Sequence, residues 1–424
     1  MPAGLDDMKT VIRARFSRAL GGGIAICLAA FAALALVSPA AAAEEAEIAP
    51  LLAYGARIAG NDARTRIVID FDRKPEFSLH YVGSPVRVIV DLPQTSFGVK
   101  PDDMKATGLF TDIRYGAMGP SSSRLVLTAA RPVSVTKAVV QADPAGKGFQ
   151  LVLESAMATD EEFANLVRQQ EWSGTTSSVS AKGNRLPEVP VASGDFVIAV
   201  DAGHGGIDTG AIGAATKTEE KHVTLDFAKD LVEALNQEKD TRAFLTRKGD
   251  EFLSLPQRVQ IARQHGARLF ISLHADTLRQ KDIRGATVYT ISDRASDSLA
   301  ADLAKRENLS DEIAGVPLQD EPADVADILI DLTRRETQAF STNLARSVVG
   351  AFDGQIKLIN NPHRHAGFRV LQAPDVPSVL LELGFLSNKD DEKLLLDPAW
   401  RKKVSALLAE AVRHYRAPEL ANGG

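Results

Sequence analysis

The chain has 424 residues, 45% apolar and 25% charged, which is ordinary globular composition and enough for two or three domains. Its formal net charge of -6 leaves no basic excess to neutralise a phosphate backbone, so nucleic acid is excluded as the expected partner.

In chain order, a basic flank (Arg13, Arg15, Arg18) precedes the apolar run Ile24 to Val37, and small residues follow through Ala41 and Ala43. These are the parts of a secretory signal peptide over residues 1–43. The alternative, an uncleaved anchor, needs about 20 apolar residues, and this run is shorter. The only cysteine, Cys27, lies within the leader, so a mature chain is expected to lack disulfides, Cys metal sites and any transmembrane anchor.

Residues 50–156 carry short alternating runs: Thr65 to Asp72, Phe77 to Val82, Val86 to Pro93, Ser123 to Ala130 and Gly148 to Ser155. Period-two alternation broken by Gly, Pro, Asp and Ser predicts a small all-β sandwich-like domain. Its only histidine, His80, reads as structural. Residues 157–194 then turn polar and rich in Ser, Thr, Gly and Pro, the texture of a flexible linker, with a short helix expected over Asp160 to Trp172.

From 195 to 417 strand-like runs alternate with helical ones. Phe196 to Val200, Arg242 to Arg247, Arg268 to Ala275, Ala286 to Ser292 and Ser378 to Leu386 read as strands. Glu220 to Gln237 places Val223, Phe227, Leu231 and Leu235 on one helical face, and Ser254 to Gly266 opens with a Ser cap and closes at Gly. The fold class is therefore α/β: a largely parallel twisted sheet flanked by helices, preceded by the small all-β sandwich-like domain. Residues 294–337 interrupt it as an acidic, helix-prone insertion longer than a usual loop.

In open parallel sheets reactive groups gather at strand carboxyl ends. There stand Asp201 and His204 after the first strand, His274 at the end of a second and Glu382 in the last, while Glu220 opens a helix. Two imidazoles and a carboxylate with an open fourth position are the ligand set of a catalytic zinc site, which would predict hydrolysis; by spacing alone a lone His near glycines also reads as structural. Such a site needs a further carboxylate to carry protons, and Glu382 is the candidate. Spacing alone leaves Glu382 equally readable as an end-of-strand carboxylate facing water. His222, His265 and His414 read as solvated, and His363 and His365 as groove residues that contact substrate or, as an H-x-H pair, bind metal.

The blocks VDAGHGGIDTGAIG, EEKHVTLDFAKDL, TRKGDEFLSLPQRVQIAR, LFISLHAD and PSVLLELGFLSN together resemble the zinc-dependent N-acetylmuramoyl-L-alanine amidases of the type-3 amidase family. The resemblance runs from about Phe196 to Arg416. It implies one Zn2+ held by His204, Glu220 and His274, with Glu382 as the catalytic carboxylate. Asp276 stands where the family usually has Asn, and Leu383 where a small or polar residue is common. The N-terminal strands resemble the AMIN domain of periplasmic members, which implies cell-wall targeting. Cell-separation members carry a helical segment at the insertion that covers the zinc site until a LytM-type activator displaces it. That resemblance implies a blocking carboxylate, Glu307 first, with Glu312 and Glu321 behind it. The expectation is a monomeric periplasmic peptidoglycan amidase that acts in septal wall splitting. The rivals are a zinc peptidase of the wall stem peptide and a non-catalytic wall-binding scaffold.

Overall fold

The computed structural model describes residues 49–83, 85–119, 121–169, 195–315 and 328–422. The signal peptide, most of the expected linker, Glu321 and the middle of the insertion lie outside the described residues.

Two sheets build the N-terminal region. One has the order β5-β1-β2-β9-β8, from β1 (Leu51–Gly60), β2 (Arg64–Phe71), β5 (Thr95–Phe97), β8 (Val133–Ala142) and β9 (Phe149–Met157). The other has the order β3-β4-β7-β6, from β3 (Ser78–Val82), β4 (Arg87–Pro93), β6 (Phe110–Ala117) and β7 (Ser122–Ala129). Ile67, Ile69, Leu151 and Leu153 of the first sheet share one core with Val88, Val90, Leu125 and Leu127 of the second. The alternation in sequence is thus the alternation of sheet faces. The sequence pattern does not mark β1, β6 and β8, whose period Gly, Lys, Asp and Arg dilute, nor β5, which is too short to show one. Helix α1 (Asp160–Gln169) follows β9 and buries Phe163 against the sandwich.

The second sheet system has the order β11-β10-β12-β15-β13-β14, from β10 (Phe196–Ala202), β11 (Thr241–Leu245), β12 (Leu269–His274), β13 (Ala286–Ile291), β14 (Leu358–Ala366) and β15 (Ser378–Glu382). All neighbours pair parallel except β13 with β15. Its strands are apolar on both faces because helices cover both. On one side Ile198, Val200, Ile271 and Leu273 pack with Phe227 and Leu231 of α2 (Glu220–Asn236), Leu344 and Val348 of α6 (Ile328–Phe352) and Leu408 and Val412 of α8 (Pro398–Asn422). On the other side Ala199 and Phe270 pack with Leu255 and Ala262 of α3 (Leu255–Gln264) and with Ala300, Leu303 and Ala304 of α4 (Ser298–Glu307). The Ser254 cap is completed by Gln257, whose side chain bonds back to the Ser254 amide. Short helices α5 (Ser310–Ile313) and α7 (Lys389–Leu395) complete the domain. Among the described residues no helix is long and apolar enough to cross a membrane.

Candidate metal centre

The turn after β10 carries His204 in the left-handed region, φ 60°, followed by Gly205 at φ 130° and Gly206 at φ 57°. A side chain there costs about 1–3 kcal/mol, so surrounding bonds must hold it. Gly205 and Asp208 exchange both backbone hydrogen bonds, at 2.8 and 3.1 Å. Arg258, from α3, donates to the carbonyls of Ala202 (2.7 Å) and His204 (2.8 Å). Arg247 donates to those of Ala202 (3.0 Å) and Gly203 (3.1 Å) and to Lys221 (2.7 Å). Both guanidiniums are buried, and burial pushes Arg247 down to about 10. Two neighbouring glycines are small because ligands crowd them. A Cβ on Gly203 would stand 2.4 Å from the His274 ring, and one on Gly210 2.6 Å from His204 and 2.7 Å from Glu220.

His204 Nδ1 meets Asp208 Oδ2 at 2.9 Å, which fixes the ring and aims Nε2 inward. There Nε2 lies 3.2 Å from Glu220 Oε2 and 3.6 Å from Glu307 Oε2. His274 presents Nδ1, 3.4 Å from Glu220 Oε1 and 3.0 Å from Glu307 Oε2. The imidazoles meet edge to face with centroids 4.9 Å apart. Glu220 is pinned by the amides of Ala211 (2.8 Å) and Ala275 (2.7 Å). All four side chains are buried, yet His204 Nε2 and His274 Nδ1 have no hydrogen-bond partner. Two such nitrogens converging on carboxylates are unsatisfied as they stand and fit a dication. His204, His274 and Glu307 offer ligand atoms within 4.8 Å of one another.

Electrostatics agree with that fit. Burial opposes charge on His204, but the carboxylates of Glu220, Asp208 and Glu307 carry its pKa well above the ordinary range. Burial also opposes charge on His274, and Glu307 and Glu220 raise it. Glu307 is pushed up to about 7, by burial first, against the pull of both histidines. With no ion at the centre the two histidines carry the positive charge that faces these acids; a dication bound there would take over that charge and require both rings neutral.

Glu382 ends β15 and is the register partner of His274 on β12. Its Oε2 accepts the Asp276 amide at 3.0 Å, while its buried Oε1 has no partner. Burial and then Glu220, Asp276 and Glu307 hold its carboxyl well above the usual range.

The insertion closes over this site. Asp297 caps α4 through the Ala300 amide at 2.9 Å, and the helix delivers Glu307 to the histidines. Arg306 grips Asp276 Oδ2 with Nε (2.9 Å) and Nη2 (2.6 Å). Ser310 donates to Asp208 Oδ2 at 2.6 Å, and Asp311 accepts the Leu255 amide at 2.8 Å.

His204, Glu220, His274 and Glu307 thus converge, with Glu382 on the adjoining strand. Glu312 turns away, with Oε2 at 3.5 Å from Arg87. Asp201 is not at the centre either: it is fully buried and bonded to Thr246, Arg258 and Ser272. His363 lies on edge strand β14, 3.1 Å from Thr290. Sequence reading missed Asp208, Arg247, Arg258 and Arg306. Only Asp208 left a signal, four residues after His204.

The N-acetylmuramoyl-L-alanine amidase family model matches residues 198–414, and the AMIN domain model matches residues 55–153. The chain is similar to N-acetylmuramoyl-L-alanine amidase AmiA of Escherichia coli (strain K12), 39% identical over 237 residues, 56% of this chain and 81% of that protein. It is 30% identical to N-acetylmuramoyl-L-alanine amidase AmiC of Escherichia coli O6:H1 over 364 residues, 83% of this chain and 87% of that protein. Against AmiC of Neisseria meningitidis serogroup B it is 30% identical over 409 residues, 89% and 93% of the two chains.

Proposed function

The chain belongs to the N-acetylmuramoyl-L-alanine amidase family, and on that premise we propose that it is a zinc-dependent peptidoglycan hydrolase of the periplasm. The bond cut is the amide between the lactyl group of N-acetylmuramic acid and L-alanine, and the task is septal wall splitting during daughter-cell separation. The observation that carries the metal reading is the pair of buried, unpartnered nitrogens, His204 Nε2 and His274 Nδ1, facing Glu220.

His204, His274 and Glu220 would hold the ion. When bound, zinc supplies Lewis acidity toward an amide carbonyl and lowers the pKa of water. Asp208 keeps the His204 proton on Nδ1, so that Nε2 is free to ligate. The Ala211 and Ala275 amides hold Glu220 so that its carboxylate cannot swing away.

Glu382 moves the protons. Its Oε1 has no partner in the closed site and is the atom that takes a proton from water and returns it to the departing alanine nitrogen. Burial and the neighbouring acids raise this carboxyl above its ordinary range, which strengthens its carboxylate as a proton acceptor.

Glu307 stands where substrate must enter, so the closed form is autoinhibited and a LytM-type activator lifts the insertion. A carboxylate held against a dication competes directly with water and substrate. The AMIN-like sandwich carries the enzyme to the wall, and the working form is a monomer.

The deciding experiment digests purified sacculi with activated enzyme and resolves the products by mass spectrometry. Free stem peptides beside intact glycan support the reading. Shortened stems still attached to sugar reject it.

A further inference from the structure

A small antiparallel sandwich ordinarily turns polar side chains outward on its second face. Here the outward set of β4 is Arg87, Ile89 and Asp91, and that of β7 includes Arg124 and Val126. Ile89 is 0% and Val126 1% exposed, although neither belongs to the sandwich core. They form a separate buried cluster with Ile207 and Phe252 of the catalytic domain and Ala314 at the end of the insertion. Ile89 and Val126 are register partners, so they form one contiguous apolar patch.

Two buried arginines rim that patch. Arg87 Nη1 donates to the Glu312 carbonyl, with Nη2 3.5 Å from the Glu312 carboxylate. Arg124 is held in a fork by Asp91 (2.6 and 3.0 Å) and donates to the Ala314 carbonyl at 2.9 Å. A helix C-terminus leaves carbonyls without intrahelical partners and carries partial negative charge, so two cations there complement the end of α5. Gly315, at φ +68°, lets the backbone approach closely: a Cβ there would lie 2.3 Å from Ile89 Cδ1. The sandwich also touches the metal-site turn itself, through the Ile207 amide to the Ala117 carbonyl at 3.2 Å.

We propose that this face of the sandwich is a docking surface for the chain's own insertion, Glu312 to Gly315, and that this contact holds Glu307 over the metal site. The inference rests on the reading of Glu307 as the blocking carboxylate. Only Asn308 and Leu309 separate α4, which ends in Glu307, from α5, so an anchor at the end of α5 restrains both. Opening the site and freeing the sandwich face are therefore one coupled event, and the coupling is reciprocal: whatever displaces the insertion uncovers this face, and whatever occupies this face releases the insertion.

The test uses the full chain with no activator, in two forms altered on opposite sides of the contact: Arg87→Ala with Arg124→Ala, and Gly315→Leu. Hydrogen exchange of residues 298–313 and hydrolysis of purified sacculi are read together, with Glu307→Ala alongside. Both altered forms are expected to exchange the insertion about tenfold faster and to hydrolyse sacculi faster, while exchange in β2 and β9 stays slow. Wild-type exchange of the insertion, with β2 and β9 still protected, overturns the proposal. Faster exchange without faster hydrolysis also overturns it when Glu307→Ala is activated, since the contact then does not hold the site shut. Should Glu307→Ala stay silent while the insertion exchanges faster, the docking surface stands and the role given to Glu307 falls.

Discussion

Glu307 Oε2 lies 3.0 Å from His274 Nδ1, although the two residues come from the insertion and from the central sheet. One carboxylate therefore stands at the ring atom that a metal would use. Glu307→Ala is expected to raise hydrolysis of sacculi without activator by about tenfold or more, and to leave zinc content near one per chain, since His204, Glu220 and His274 remain. Release of soluble stem peptide, read beside metal analysis, checks both halves.

Removing a ligand should do the opposite. His274→Ala is expected to lose stoichiometric zinc and with it all measurable hydrolysis. Retention of a full equivalent of zinc after dialysis would move the site elsewhere.

Glu382→Gln keeps the shape and the acceptor for the Asp276 amide but cannot carry a proton. The expected loss in kcat is about 10²–10⁴-fold with zinc content unchanged. A variant that digests sacculi at the wild-type rate in the presence of activator would remove Glu382 from the mechanism.

Arg258 is 1% exposed and neutralises Asp201, which is fully buried. Arg258→Leu strands that charge and frees the carbonyls that fix the turn at His204, so a loss of about 3–5 kcal/mol in urea unfolding is expected. An unchanged midpoint would mean that the network carries no net stability.

A pH dependence should arise in the sandwich. His80 sits 3.1 Å from Ser78 Oγ and 3.7 Å from Asp91; burial depresses its pKa, with Asp91 raising it and Arg124 lowering it. The folded pKa is below the unfolded 6.5, so as pH falls through 6.5 the unfolded chain takes up the proton first. Stability is therefore lost below that value and is unaffected above it. Calorimetry near pH 7.5 and 5.5 should show a smaller decline for His80→Gln than for the native chain. Equal declines would place the dependence elsewhere.

Much of the architecture is legible in the sequence. Alternation in Val86 to Pro93 and Ser123 to Ala130 identified β4 and β7, and the apolar stripe of Val223, Phe227, Leu231 and Leu235 identified the buried face of α2. The candidate residues could be named as well, since His274 and Glu382 end strands, Glu220 opens a helix and His204 follows β10 by two residues, but their roles rested on the family resemblance. Periodicity reports which way one element faces, and these elements are regular.

What remained hidden depends on which elements become neighbours. The order β10-β12-β15 sets His274 beside Glu382, and α4 folds back to bring Glu307, which only the family resemblance had pointed to, to both histidines. Arg87, Arg124, Arg247 and Arg258 look like surface charges in one dimension, yet each is buried against carbonyls or carboxylates from distant segments. A local pattern cannot signal them, because the cost of burying a guanidinium is repaid only by partners that the tertiary fold supplies. The sequence by itself determined most of the strands and helices and which histidines and carboxylates were candidates. Only the folded chain decided which acids share the centre, what aims His204, and that the sandwich closes on the insertion, since those depend on long-range packing.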